Sequence, residues 1–148
     1  MGTRSTYRII EESSTGKKVK KTKQDEICLI YRQFDGYPEG HPLETAEWLV
    51  SGRVVNGIGS NDTNLVFNGA GCLAAQLVAK YKTEPGGTYI QSLKSRGQSW
   101  EDYLYDIIVK EDNSIEYVCY ENDTIPNEIF RGTPNQFIEK FKVLETNE

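Results

Sequence analysis

Apolar and polar residues alternate near the start of the chain, which is the pattern of a half-buried β-strand. In residues 3–12, Tyr7 and Ile9 alternate with polar neighbours, and the Thr and Ile side chains of this stretch favour extended backbone. Residues 26–33 are more continuously apolar, as in a strand that is covered on both faces. We expect these two strands to pair as an antiparallel hairpin across a polar, Lys-rich loop at residues 13–25.

Helical spacing of apolar residues replaces this alternation after the hairpin. Pro42 fits the first helical position, where its missing N–H breaks no hydrogen bond, and this would make His41 the N-cap. Gly52 is the predicted C-terminal stop of this helix. A second helix is predicted over residues 70–82, with Asn68 as its N-cap. The Gly- and Asn-rich residues between the two helices, 53–68, are predicted to form a connecting loop.

The second half of the chain predicts three strands and a last helix. A short strand at residues 88–91 precedes a polar loop, and residues 103–110 and 115–121 form the clearest hairpin of the sequence. The capping-box sequence Thr-Pro-Asn-Gln at residues 133–136 then starts a helix. Residues 142–148 are expected to be a flexible tail.

The predicted order of elements, β-β-α-α-β-β-β-α, has no regular βαβ alternation. We therefore predict α+β architecture for residues 1–148 as a single domain, with a mainly antiparallel sheet and about three helices packed on one face. Hydrophobic residues make up 37% of the chain and charged residues 26%, which is typical of a soluble folded domain.

Composition removes several function classes. The net charge of −5 makes nucleic acid an unfavoured partner, and the basic run at residues 17–23 is predicted to be a solvated loop, with a small phosphate-facing patch as the alternative. The three cysteines form no CxxC pair and there is one histidine, so no metal site and no cofactor is expected. No segment is apolar enough to span a membrane, and a cytoplasmic location is the simplest expectation.

The turn DGYPEGHP, residues 35–42, carries more chemistry than a turn needs. Asp35-Gly36 and Pro38 are ordinary turn formers, but Arg32, Tyr37 and His41 add a cation, a phenol and an imidazole near a helix N-terminus. Three interpretations stay open here. The turn is purely structural, or it binds an anion or polar ring, or His41 performs acid–base catalysis with Asp35 orienting its ring.

Two further Gly-containing segments are weaker candidates for ligand contact. Asn56 begins NGIG, where glycine allows close backbone approach, although a tight turn explains it as well. Asn68 and Gly69 precede the second predicted helix, whose first N–H groups would be accessible to an anion, although small residues there also suit helix packing.

Four segments together resemble a family of small uncharacterised proteins of tailed-phage and bacterial genomes. They are MGTRSTYRIIE, ICLIYRQFDGYPEGHP, VVNGIG and NGAGCLAAQLVAKYK, and family members begin MGTRS and carry IYRxxDGYP. The resemblance covers roughly residues 1–90 and implies a phage or prophage context rather than a reaction. It also adds Arg4 to the candidate site, at the start of the strand expected to pair with the one that carries Arg32.

The sequence thus favours a phage-type protein that binds a small anionic or nucleotide-like ligand in the host cytoplasm, with the countering of a host defence signal as its expected role. The predicted ligand-binding residues are Arg4, Arg32, Asp35, Tyr37, His41, Asn56, Asn68 and Gly69. One alternative is a protein–protein interaction module that inhibits a host or phage protein. A homo-oligomeric state is also compatible with the sequence. Another is a small hydrolase or lyase that uses His41 and Asp35.

Overall fold

The structure is a computed structural model that describes residues 2–15, 21–57 and 65–142 of the 148-residue chain. In chain order the elements are β1 (Ser5–Thr15), β2 (Lys21–Arg32), α1 (His41–Ser51), β3 (Arg53–Val55), β4 (Val66–Asn68), α2 (Gly69–Tyr81), β5 (Thr88–Gln91), β6 (Tyr103–Val109), β7 (Ile115–Glu121), β8 (Asn127–Gly132) and α3 (Pro134–Phe141). A single 3₁₀ turn, Leu93–Ser95, lies between β5 and β6.

Six strands form one sheet in the order β5-β2-β1-β6-β7-β8. Neighbouring strands are antiparallel except β1 and β6, which run parallel with Ser5 opposite Tyr103. Parallel neighbours need a crossover, and here the chain between β2 and β6 supplies it with α1, α2 and β5. The α+β class is confirmed, and the sheet is mostly antiparallel as predicted.

The hairpin of β1 and β2 is longer than the sequence pattern indicates. Pairing runs from Ser5 opposite Arg32 to Thr15 opposite Lys21, so the prediction of a loop at residues 13–25 is wrong for 13–15 and 21–25. The remaining residues of that loop, 16–20, lie outside the described part of the chain, as do 143–148 of the predicted tail. Backbone pairing needs no apolar side chains where a hairpin extends into water, which is why apolar patterning missed this extension.

The prediction of a loop at residues 53–68 is wrong for 53–55 and 66–68, which form β3 and β4 and pair in parallel beside the main sheet, while 58–64 lie outside the described part of the chain. Each has only three residues, and in each the middle side chain is buried: Val54 in β3 and Phe67 in β4. Strand β8 was also not predicted, because its side chains are exposed or half-buried and show no apolar alternation. The predicted strand at residues 88–91 and the hairpin of β6 and β7 are confirmed.

The helices cover one face of the sheet. Their apolar residues share a core with alternate strand residues, among them Tyr7, Ile9, Ile30, Tyr105, Ile107 and Tyr117. The opposite, helix-free face has a smaller apolar cluster around Ile10, Ile108 and Val118. On that face Asp106, only 2% exposed, contacts Arg8 at 2.7 Å and Arg96 at 3.5 Å, and Arg96 thereby ties the segment before β6 to the sheet. No helix in the described residues is both long and apolar enough to cross a membrane.

The helix ends agree only in part with the local sequence signals. The capping box of α3 is formed, with Thr133 accepting from the Gln136 backbone and the Gln136 side chain accepting from the Thr133 backbone. Helix α1 has Gly40 as its N-cap, so His41 lies one position further inside the helix than predicted. Asn68 is the N-cap of α2 by position, but its side chain makes no capping bond there.

Candidate functional site

Three tyrosines on adjacent strands hold the turn that precedes α1. Tyr7, Tyr105 and Tyr117 point into the helix-covered core, and the ring centroids of neighbouring members are 5.1 and 5.9 Å apart. The Tyr105 hydroxyl donates to the Gly36 carbonyl at 2.7 Å, the Tyr117 hydroxyl donates to the Pro42 carbonyl at 3.0 Å, and the Tyr7 hydroxyl lies 3.2 Å from His41 Nδ1. Much of DGYPEGHP is therefore fixed from below by the sheet.

His41 is buried, with 8% of its surface exposed. Its Nδ1 lies within 3.4 Å of the Thr45 hydroxyl as well as near Tyr7, while its Nε2 is buried without a hydrogen-bond partner. Burial, together with the nearby positive charges of Arg32 and Lys80, lowers the pKa of His41 to about 3. The imidazole is neutral at physiological pH, which suits it to donate or accept a hydrogen bond rather than to carry charge.

Asp35 does not form the predicted pair with the His41 ring. Its backbone carbonyl accepts from the His41 N–H at 2.8 Å, but its carboxylate is not a hydrogen-bond partner of the imidazole, whose Nδ1 contacts hydroxyl groups instead. Asp35 is exposed and adopts a φ of +57°, which an Asp tolerates better than most residues. Its role in the described structure is to shape the turn.

Arg32 ends β2 on the face that the helices cover. Its guanidinium lies 4.5 Å from the ring centroid of Tyr81, and its Nη1 is buried without a hydrogen-bond partner. Within the described ranges no carboxylate forms an ion pair with it, although Asp35 and Glu44 act on it through space. Burial lowers the pKa of Arg32, but an arginine remains charged at any physiological pH.

Arg32 and His41 share a narrow crevice that adjoins a larger cavity. The crevice is lined by Tyr7, Ile30, Arg32, His41, Thr45, Leu77, Tyr81 and Thr88 and leaves no room for a water molecule. The adjoining cavity, of about 420 Å³, shares Arg32, Tyr81 and Thr88 with it and is completed by Gln33, Phe34 and residues 83–87. We call the two together the Arg32 cavity.

The other predicted site residues lie elsewhere. Arg4 lines a separate groove on the helix-free face, and Asn56 and Gly69 line a third cavity, of about 200 Å³, beside Glu11 and Lys110. Asn68 is exposed and accepts from the Gly57 backbone at 2.8 Å. Tyr37 is 40% exposed and is not part of the Arg32 cavity.

Sequence reasoning missed Thr45, Tyr81 and Thr88 as members of the Arg32 cavity. Tyr81 belongs to the apolar face of α2 and reads as a core residue, although its ring stacks edge-on against His41 with centroids 4.1 Å apart. Thr45 is one helical turn after His41, and this i, i+4 spacing is the only local signal that links it to the site.

Comparison with known proteins gives no match: no family model, no curated protein and no solved structure is similar to the chain. The resemblance to tailed-phage proteins stays a prediction.

Proposed function

We propose that the protein binds a small anionic ligand, a carboxylate or phosphate ester, in the Arg32 cavity. The observation that supports this is the pair of unpartnered buried nitrogens, Arg32 Nη1 and His41 Nε2, in one crevice. A buried cationic donor without an acceptor costs free energy, and an anion would remove that cost through charge-assisted hydrogen bonds.

The surroundings of His41 favour a donor at Nε2. Burial raises the pKa of the Tyr7 hydroxyl well above its usual value, so the hydroxyl stays protonated and can donate a hydrogen bond to His41 Nδ1. An imidazole that accepts at Nδ1 and stays neutral carries its hydrogen on Nε2. Two donors, one of them charged, then face the same crevice, which is complementary to an anion and not to a cation.

The size of the Arg32 cavity matches a small molecule. Its outer part of about 420 Å³ lies within the range of roughly 300–1,000 Å³ that is usual for ligand pockets. Because the inner crevice is too narrow for water, we place the anionic group at its mouth, where Arg32, Tyr81 and Thr88 also line the outer part. The rest of the ligand then lies against Phe34 and the Gly86-Gly87 loop. The resemblance to phage proteins makes a nucleotide-like host defence signal in the cytoplasm the first ligand class to test.

Binding is better supported than catalysis or assembly. A neutral His41 without a carboxylate partner lacks the pairing that a histidine general base uses. At each outer strand a lysine already occupies one carbonyl group, Lys82 that of Thr88 and Lys140 that of Ile129, which disfavours strand addition at those two positions.

Calorimetry with inorganic phosphate, AMP and cyclic AMP as probes would test this proposal. We expect Arg32→Gln to weaken the best probe by about tenfold or more, since it loses a charge-assisted contact. Arg131→Gln is the matched control, because Arg131 is a surface arginine on the helix-free face. Absence of binding by wild type at about 1 mM, or equal affinities of Arg32→Gln and Arg131→Gln, would contradict the proposal. Thermal unfolding of each variant establishes that it is folded.

A further inference from the structure

We infer a second ligand site, for a nucleoside monophosphate, in the groove that Arg4 lines on the helix-free face. We call it the Trp100 groove. It has a volume of about 540 Å³, and the lining residues that bear on binding are Arg4, Tyr31, Gln33, Tyr89, Gln91 and Trp100. Alternate residues of β2 and β5 face opposite sides of the sheet, so this groove and the Arg32 cavity lie back to back on the same two strands, and Gln33, just after β2, lines both.

Trp100 is presented to solvent by a fixed loop. Its side chain is 84% exposed, its φ is +67°, and within the described part of the chain no ring packs on the indole and no hydrogen bond reaches it. The next residue, Glu101, is 4% exposed and accepts from Gly97 N at 2.6 Å, Ser99 N at 2.5 Å and Thr6 Oγ1 at 3.2 Å. A bulky residue in a left-handed conformation, held from the following position, is a strained arrangement of the kind that is enriched at ligand sites.

Two tyrosines supply a second aromatic surface in the same groove. Tyr31 and Tyr89 are direct cross-strand neighbours on β2 and β5, with ring centroids 5.9 Å apart. Tyr89 is 45% exposed, while Tyr31 is buried beneath it. Exposed aromatic rings in a groove bind planar bases by stacking, which works for every base.

Amide groups at the groove can contact the polar edge of a base. The Gln91 side-chain oxygen accepts from the Ser99 hydroxyl at 3.1 Å, which orients its NH₂ group as a donor. Gln33 adds a second amide at the end of β2. Glutamine amides carry both a donor and an acceptor, the combination that base edges present.

Arg4 provides the charge for a phosphate. Its backbone is fixed at both ends, since its N–H donates to the Asp102 carboxylate at 3.2 Å and its carbonyl accepts from the Asp102 N–H at 2.9 Å. No described residue forms an ion pair or hydrogen bond with its guanidinium. The protein's net charge of −5 disfavours a long polyanion, so one base with one phosphate fits better than a nucleic-acid strand.

Fluorescence of Trp100 would report binding directly. In a Trp48→Phe background Trp100 is the remaining tryptophan, since the chain has two. The probes are AMP, GMP, CMP and UMP, with adenosine and ribose 5-phosphate as the separate halves. We expect at least one nucleotide to quench the fluorescence of Trp100. We also expect adenosine to bind to the groove and ribose 5-phosphate not to bind.

Calorimetry on variants in an Arg32→Gln background isolates this site, because AMP is also a probe of the Arg32 cavity. We expect Trp100→Ala to weaken the nucleotide by about tenfold or more, Trp100→Phe to restore part of the affinity, and Arg4→Gln to weaken AMP but not adenosine. Ile90→Ala is the matched control, because Ile90 is 67% exposed on β5 but faces the other side of the sheet. Arg32→Gln should leave the quenching of Trp100 unchanged.

Three results would overturn the inference. The first is no quenching by any of the four nucleotides at about 1 mM, and the second is equal affinity of wild type and Trp100→Ala. The third is a ten-residue oligoadenylate that binds more than about tenfold tighter than AMP, which would assign the groove to single-stranded nucleic acid. Failure of phosphate binding at Arg32 with normal quenching of Trp100 would remove the proposed function and leave this site standing.

Discussion

The Tyr105 hydroxyl donates a hydrogen bond to the Gly36 carbonyl oxygen at 2.7 Å, across 69 residues of sequence. This bond joins the centre of the sheet to the turn that precedes α1. Gly36 is also held by its own N–H, which donates to the Thr3 carbonyl at 2.9 Å. The turn that carries His41 toward the Arg32 cavity is thus positioned by the sheet, and its geometry can be tested by changing either partner.

Replacing Tyr105 with Phe should destabilise the protein by about 1–2 kcal/mol, because the Gly36 carbonyl would remain buried without its donor. The control is Tyr103→Phe, on the same strand, whose hydroxyl has no hydrogen-bond partner in the described structure. Urea unfolding of the two variants checks this. Equal losses of stability would show that the Tyr105 hydroxyl does not hold the turn.

Adding a methyl group at Gly36 should be far more damaging than adding one at Gly71. A Cβ at Gly36 would lie 2.7 Å from Ser5 Cβ and 3.0 Å from the Arg4 carbonyl carbon, whereas a Cβ at Gly71 in α2 meets nothing within 4 Å. We expect Gly36→Ala to cost roughly 1–3 kcal/mol and Gly71→Ala to gain about 0.5 kcal/mol from helix propensity. Melting temperatures that shift in the same direction would contradict the geometry of the turn.

The free energy of unfolding should decrease as the pH is lowered below 6.5, because of His41. Its pKa is lowered to about 3 in the folded state, so between these values the unfolded chain binds a proton that the folded chain excludes. The stabilisation is complete above pH 6.5 and is lost toward pH 3. From pH 6 to pH 5 wild type should lose about 1 kcal/mol more than His41→Gln.

Denaturant unfolding at the two pH values measures that difference. His41 is the only histidine, so no other imidazole contributes to the slope. Parallel slopes for wild type and His41→Gln would mean that the imidazole is accessible to protons in the folded protein.

Asp106 should be the most costly carboxylate to neutralise among the ion pairs of the helix-free face. It is 2% exposed and its two oxygens contact Arg8 at 2.9 and 2.7 Å, with Arg96 at 3.5 Å. Asp106→Asn leaves the Arg96 guanidinium without a countercharge and Arg8 with only the half-exposed Glu26, so we expect a loss of about 3 kcal/mol. Glu128→Gln breaks an exposed pair with Arg131 and should cost less than about 1 kcal/mol. Thermal unfolding that ranks the two in the opposite order would contradict this assignment.

Trp100→Asn should stabilise the protein by about 0.5–1 kcal/mol while removing the aromatic surface of the Trp100 groove. Asn tolerates a φ of +67° better than Trp does, and an indole that is 84% exposed loses little burial when it is removed. The control is Ile125→Asn, at an equally exposed position with ordinary φ, which should stay within about 0.5 kcal/mol of wild type. A lower melting temperature for Trp100→Asn would show that the indole has a packing role.

Local signals in the sequence predicted the elements whose evidence is contained within a few residues. The β6–β7 hairpin shows strand patterning on both sides of a polar turn, and the capping box of α3 is a four-residue motif. Strands β3, β4 and β8 were missed, because short or edge strands are stabilised by their neighbours more than by their own side chains.

The candidate site divides in the same way. Arg32, at the end of β2, and His41, at the start of α1, flank one turn, and their proximity could be predicted. Arg4 could not be assigned to a face from the sequence alone. The pairing of Ser5 with Arg32 places the Arg4 side chain on the opposite side of the sheet, because successive residues of a strand alternate between faces.

By itself, the sequence determined the α+β class, the main hairpins, the capping box of α3 and the placement of Arg32 and His41 near a helix N-terminus. Tertiary structure alone decided that Tyr7, Tyr105 and Tyr117 fix that turn, that His41 is buried and neutral, and that Arg4 and Trp100 share a separate groove. The physical reason is that burial and strand register depend on residues far apart in the chain, whereas caps, turns and apolar periodicity depend on neighbours.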